Sequence, residues 1–139
     1  EDFRFVSLAN EVNNSMPQFV VDRANQILKR LCIPVENASI LLLGLAYKAG
    51  TGDTRESPAT DIARILQDSG SDVSAVDSYV SGRNWPTSIS RVTREAAKDF
   101  DLAIVVTEHG EFGEEWVCNS ANVVLDTRNF IAGANVEKL

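Results

Sequence analysis

The stretch Ile40-Leu41-Leu42-Leu43-Gly44-Leu45-Ala46-Tyr47-Lys48-Ala49-Gly50-Thr51-Gly52-Asp53-Thr54-Arg55-Glu56-Ser57-Pro58 decides how the rest of the chain is read. Its apolar run stops at Gly44. A Gly- and Thr-rich loop with one Lys and one Arg follows, and Ser57-Pro58 then opens an amphipathic helix, the Ser as cap and the Pro in the first turn. The order is strand, loop, helix. Parallel α/β sheets bind ligands at the C-terminal ends of their strands, where backbone N–H groups and a helix N-terminus can meet a phosphate. Lys48 and Arg55 lie in the loop that such an anion would approach.

Working outward, Ala59, Ile62, Ala63 and Leu66 share one face of a helix over residues 58–68, which Gly70 ends at a left-handed cap. Apolar runs at 40–43, 73–76, 102–106 and 123–125, bounded by polar turns, read as buried parallel strands. The first two and the helix between them make a βαβ unit. The fold class is α/β: a Rossmann-like parallel sheet flanked by helices and preceded by a long N-terminal helix. Right-handed crossovers and a strand order beginning 2-1-3 are expected. Later connections are less regular, with short helices expected at 93–99 and 111–116 and a loop at 78–87.

The N-terminal helix follows from Phe5, Ala9, Val12, Met16, Val20, Ala24, Ile27 and Leu31, which recur at threes and fours. Pro17 interrupts the pattern without changing its phase, so one kinked helix, or two coaxial ones with a restart capped by Ser15, is expected. At 1.5 Å per residue it spans at most about 40 Å. A domain this small leaves Phe3, Phe5, Val6 and Leu8 exposed, which marks an interface unless the helix folds back on its own sheet.

With 139 residues and a formal charge of −7, the chain suits one domain with a real core and lacks the clustered cations that nucleic-acid binding needs. No apolar run is long enough to span a bilayer and no basic-then-apolar leader opens the chain, so no membrane association and a cytoplasmic setting are expected. Cys32 and Cys118 fit no CxxC or metal-ligand pattern and read as reduced structural thiols.

Taken alone, Lys48 is either a solvated surface charge or a cation over the strand's C-terminal edge. Arg55 is either an intraloop ion pair with its acidic neighbours or a phosphate ligand, a task that its planar fork suits. Arg128 ends the last clear strand and shares that sheet edge, unless Asp126 or Glu95 neutralises it. Asp77 ends the second strand, where a dinucleotide-binding domain places a ribose-binding carboxylate. The preceding loop lacks GxGxxG, however, and Asp77 reads instead as a strand-end cap. His109, the only histidine, reads as a solvated loop residue. Asp77 alone does not make a metal site, and none is expected.

Gly44-Leu45-Ala46-Tyr47-Lys48, four residues, then Asp53-Thr54-Arg55-Glu56-Ser57-Pro58 resembles the signature of the C-terminal, UDP-binding domain of UDP-glucose/GDP-mannose dehydrogenases. Residues 10–21 (NEVNNSMPQFVV), 105–112 (VVTEHGEF) and 125–129 (LDTRN) are similar to further stretches of that family. The resemblance implies that residues 1–31 are the end of a central linker and dimerisation helix and residues 32–139 a UDP-binding α/β domain. It further implies that Tyr47, Lys48 and Arg128 contact a UDP-sugar, and that Arg55 reaches NAD held mainly by a separate N-terminal domain. A homodimer forms through the long helix on the same reading. The family oxidises a sugar alcohol to the uronic acid through a Cys in a Gly-Gly-x-Cys-x-x-Lys-Asp segment. This chain has no such segment, so it carries no catalytic residue and is expected to be inactive alone, beginning after the catalytic loop. Where the family commonly has a Trp, His109 stands. A free-standing nucleotide-binding or regulatory module of the same descent, and an unrelated α/β response domain, are the alternatives.

Overall fold

The computed structural model describes the backbone of residues 2–139 and the side chains from residue 15 onward. Helix α1 spans Asp2–Arg30 and runs through Pro17 as one helix, the first of the two expected forms, rather than as two coaxial ones. Val20, Val21, Ala24, Ile27 and Leu28 bury themselves just beyond the proline, and such packing outweighs one missing hydrogen bond. The expected exposure of Phe3, Phe5, Val6 and Leu8 lies outside the described side chains. At the other end Cys32 takes the left-handed position (φ 58°) that glycine usually occupies. Its N–H reaches Lys29 O, and that of Ile33 reaches Leu28 O.

The described residues after α1 form strands β1 (Ser39–Leu43), β2 (Asp72–Val76), β3 (Ser90–Arg91), β4 (Phe100–Val105), β5 (Ala121–Asp126) and β6 (Val136–Lys138), with helices α2 (Pro58–Asp68) and α3 (Glu114–Ser120). The strands make one sheet in the order β3-β2-β1-β4-β5-β6, every pair parallel. The expected 2-1-3 arrangement, whose third strand is β4, holds at the centre of the sheet, but the sheet does not begin there, because β3 pairs outside β2. Both faces are covered. Ile40 and Leu42 of β1 pack with Ile104 of β4 against α1 and α2, while Leu41, Leu43 and Val105 pack with Val117 of α3 and Phe112. This two-sided burial is why β1 is apolar at successive positions rather than alternate ones.

Helix α2 has the limits expected. Ser57 Oγ accepts the Ala59 N–H at 3.2 Å, and Gly70 at φ 95° ends the helix with the Ser71 N–H on Leu66 O and the Gly70 N–H on Gln67 O. Residues 93–99 form turns rather than a helix. The Arg94 carbonyl there accepts the indole N–H of Trp116, and Asp99 turns left-handed (φ 65°) directly before β4. The helix expected at 111–116 starts later, at Glu114, because the Phe112 and Gly113 amides close tight turns onto His109 O and Glu111 O. Edge strands β3 and β6 are too short to leave an apolar run in the sequence.

Gly44, where β1 turns into its loop, has φ 97°, and a Cβ there would lie 2.4 Å from Thr107 Cβ. Gly50 has φ 79°, but a Cβ there meets no atom within 4 Å. Gly44→Ala should therefore cost about 2–4 kcal/mol, from overpacking plus the left-handed backbone, and Gly50→Ala about 1 kcal/mol. Denaturant unfolding of the two variants checks this, and equal losses would contradict it.

Candidate functional site

Because all strands run parallel, the loops after β1, β2, β4 and β5 leave the same edge of the sheet. A carboxylate organises that edge. Asp77, 1% exposed, accepts the Leu45 and Ala46 N–H groups on Oδ2 at 2.8 and 3.1 Å and the Tyr79 N–H on Oδ1 at 2.9 Å. His109 Nε2 lies 2.9 Å from the same Oδ2. Burial pushes the Asp77 pKa up, but the His109 hydrogen bond and the two amides outweigh it and hold the carboxyl below its ordinary value. Its reading as a strand-end cap holds, and it caps the neighbouring strand's loop as well as its own.

His109 is fully buried, not solvated as expected. Its ring stacks on Tyr79 at 4.4 Å and meets the edge of Phe112, while Nδ1 accepts the Gly50 N–H at 3.1 Å. A polar side chain in that setting is tolerated because both ring nitrogens find partners. The departure from a Trp at this place was the one sequence signal that the position packs inward.

The loop after β1 is closed at its base by the Tyr47 N–H on Asp53 O, 2.9 Å. Thr107 Oγ1 donates to Ala46 O at 2.5 Å, and Gly52 packs so closely that a Cβ would fall 2.1 Å from Tyr79 O. This frame leaves Tyr47 and Lys48 exposed, with the Lys48 ammonium 5.4 Å from the centre of the Tyr47 ring. Arg55 grips Asp53 with two donors, Nε at 3.0 Å and a terminal nitrogen at 2.8 Å. That pairing, together with the Arg55 N–H, brings the Asp53 carboxyl down to about 2. The Arg55 side chain is nonetheless 88% exposed. It borders a cleft of about 630 Å³ shared with Tyr79 and Asn84 and, with Tyr47, a second of about 330 Å³.

At the end of β5, Asp126 is fully buried. It accepts the amides of Arg128 at 2.9 Å and of Phe130 and Ile131 at 2.7 Å, and the Lys138 ammonium at 2.8 Å. Burial pushes its pKa up, but Lys138 and the amides hold it below the ordinary value. The ion-pair partner of Arg128 is neither Asp126 nor Glu95 but Glu108, beside His109 in the loop after β4. The pairing lowers the Glu108 pKa and leaves the Arg128 side chain 47% exposed. Lys48 and Arg128 thus flank the β4 loop on one sheet edge, while Arg55 faces the clefts beside it. Sequence reading missed Glu108, Thr107 and the inward role of His109.

Among the described residues no cluster of His, Cys, Asp and Glu suits a metal, and no helix is long and apolar enough to cross a membrane. Cys32 and Cys118 are free thiols.

Residues 41–133 match the model of the UDP-glucose/GDP-mannose dehydrogenase family, UDP binding domain. The chain belongs to that family and carries its UDP-binding domain. It is 35% identical over 136 residues to the UDP-N-acetyl-D-mannosamine dehydrogenase of Pyrococcus horikoshii, covering 94% of this chain and 31% of that protein. To the NDP-N-acetyl-D-galactosaminuronic acid dehydrogenase of Ralstonia solanacearum it is 31% identical over 134 residues, covering 92% of this chain and 30% of that one. The solved structure of the Pyrococcus horikoshii UDP-D-ManNAc dehydrogenase superposes with a TM-score of 0.78 at 30% identity, over 99% of this chain and 34% of that one. The chain therefore spans about a third of the length of these curated relatives.

Asp77 and Asp126 titrate below their unfolded values, so the stability they contribute is fully present above about pH 3.9 and is lost as pH falls through the lower folded values. Asp77→Asn should lower stability near neutral pH by about 2–4 kcal/mol and flatten the decline in acid. Denaturant melts of both chains from about pH 7 to about pH 3 check this. An equally steep acid decline in the variant would contradict it.

Proposed function

We propose that this chain supplies the UDP-sugar-binding domain of an NAD-dependent nucleotide-sugar 6-dehydrogenase, with Tyr47, Lys48 and Arg128 holding the substrate and Arg55 meeting the cofactor. The observation that carries the reading is the Lys48 loop itself. It is fastened to Asp77 and His109 and presents its cation on the edge where Arg128 also emerges. The match to a UDP-binding family over this loop and the Arg128 turn supports the same assignment.

NAD does not fit this sheet edge in the usual dinucleotide mode. The loop after β1 has Tyr47 and Lys48 where small residues are needed, and Asp77 is buried with both oxygens turned to protein N–H groups, so it is not presented to a ribose. Arg55, exposed and facing separate clefts, is free to leave Asp53 for a phosphate brought by another domain. The nicotinamide cofactor would supply hydride acceptance, and the residues of this chain would bind and orient the sugar nucleotide.

The domain assignment follows the same logic. Residues 32–139 are the UDP-binding unit, and residues 1–31 the end of a central helix through which a homodimer forms. Exposed Phe19 and Met16 on α1 support the latter, since large apolar side chains left in water favour a partner.

Calorimetry tests the reading. The chain should bind UDP measurably and NAD hardly at all. Lys48→Ala and Arg128→Ala should each weaken UDP about tenfold or more through loss of a charge-assisted hydrogen bond, and Arg55→Ala should leave UDP affinity nearly unchanged. Tighter binding of NAD than of UDP, or equal damage from Arg55→Ala and Lys48→Ala, would overturn it.

A further inference from the structure

The buried His109 has more structure around it than a packing residue needs. Nε2 faces an ionised carboxylate oxygen of Asp77 at 2.9 Å, so that nitrogen carries the proton. Nδ1 faces the Gly50 N–H at 3.1 Å, and since an amide N–H can only donate, Nδ1 offers its lone pair. The two partners thus select one neutral tautomer. Tyr79 stacked on one side and Phe112 at the edge keep the ring from turning.

Gly50 lies two residues beyond Lys48, at the tip of the loop whose base is closed by Tyr47 and Asp53. Its left-handed backbone (φ 79°) has open space on the side a Cβ would occupy, so side-chain packing does not hold the tip there. Thr51 Oγ1 ties back only to Lys48 O, within the same loop. Gly52 packs against the Tyr79 backbone further along the loop, and the hydrogen bond that ties Gly50 itself to the rest of the domain is the one to His109, whose other nitrogen meets Asp77 at the end of β2.

We propose that His109 is a positioning residue: with its tautomer set by Asp77, its Nδ1 fastens the tip of the Lys48 loop through the Gly50 N–H and so presets Lys48 for the diphosphate of its ligand. This rests on the reading of Lys48 as a UDP-sugar ligand. The clamp lowers the ordering that binding would otherwise demand of a Gly-rich loop, so its loss appears as weaker affinity even when the fold survives.

Three substitutions separate this role from packing. His109→Asn keeps an acceptor near the place of Nδ1 and loses the donor to Asp77. His109→Gln keeps a donor near the place of Nε2 and loses the acceptor for Gly50, and His109→Phe loses both. UDP titrated into the chain should bind about fivefold more weakly to the Gln and Phe variants, the loss of one net hydrogen bond, and within about twofold of the unaltered protein to the Asn variant. Amide hydrogen exchange at Gly50 should be slow in the unaltered and Asn chains and fast in the others. Nitrogen chemical shifts of the unaltered imidazole should report the Nε2–H tautomer.

Equal UDP affinity in the Asn and Gln variants, or fast Gly50 exchange in the unaltered chain, overturns the proposal. The exchange and tautomer measurements need no variant, so they decide the clamp even if the Gln and Phe chains fail to fold. An unaltered chain that ignores UDP while keeping Gly50 protected would overturn the UDP reading and leave the clamp standing.

Discussion

The carboxylate of Asp77 is the constraint on which the candidate site depends. It sits at the end of β2, out of water, and its two oxygens take three backbone amides and one imidazole. A buried charge is stable only when so satisfied, and removing one donor leaves the rest of the cost unrelieved. The bonds to Leu45 and Ala46 fix the first turn of the loop after β1, that to Tyr79 fixes the start of the loop after β2, and His109 extends the reach to Gly50. Three loops from three strands are thereby set relative to one another by one side chain.

Asp126 repeats the device three strands away. Fully buried at the end of β5, it gathers the amides of residues 128, 130 and 131 and the ammonium of Lys138, shaping the turn from which Arg128 projects. The two aspartates hold the backbone while the cations above them stay partly in water. That division suits the proposed binding site, since the cations assigned to a ligand there are not consumed by the fold. Glu108 and Asp53 keep Arg128 and Arg55 oriented through exposed pairs, whose own contribution to stability is small. They can be exchanged for a ligand's oxygens at little cost.

Much of this was legible in the sequence because it rests on local signals. The apolar runs around Leu42 and Ile104, the Ser57-Pro58 start and the Gly70 stop each have a local physical cause, and the structure places the elements there. The GLAYK and DTRESP wording located the loop. What escaped depends on contacts across the chain. His109 looked solvated because its partners, Gly50 and Asp77, lie far off in sequence and meet it only once β1, β2 and β4 are side by side. Glu108 was overlooked as the partner of Arg128 for the same reason. Strands β3 and β6 owe their existence to pairing with an already formed sheet edge rather than to any apolar run of their own.

The proposed seat of UDP is the edge formed by the loops after β1, β4 and β5. Its most direct test is to follow the backbone amide resonances of the chain as UDP is added. The largest shifts should fall at residues 45–50, at Glu108 and His109, and at residues 127–129, with residues 82–84 beside the Arg55 cleft nearly unmoved. Shifts concentrated at residues 82–84 and at Arg55, with the Lys48 loop and the Arg128 turn silent, would contradict it.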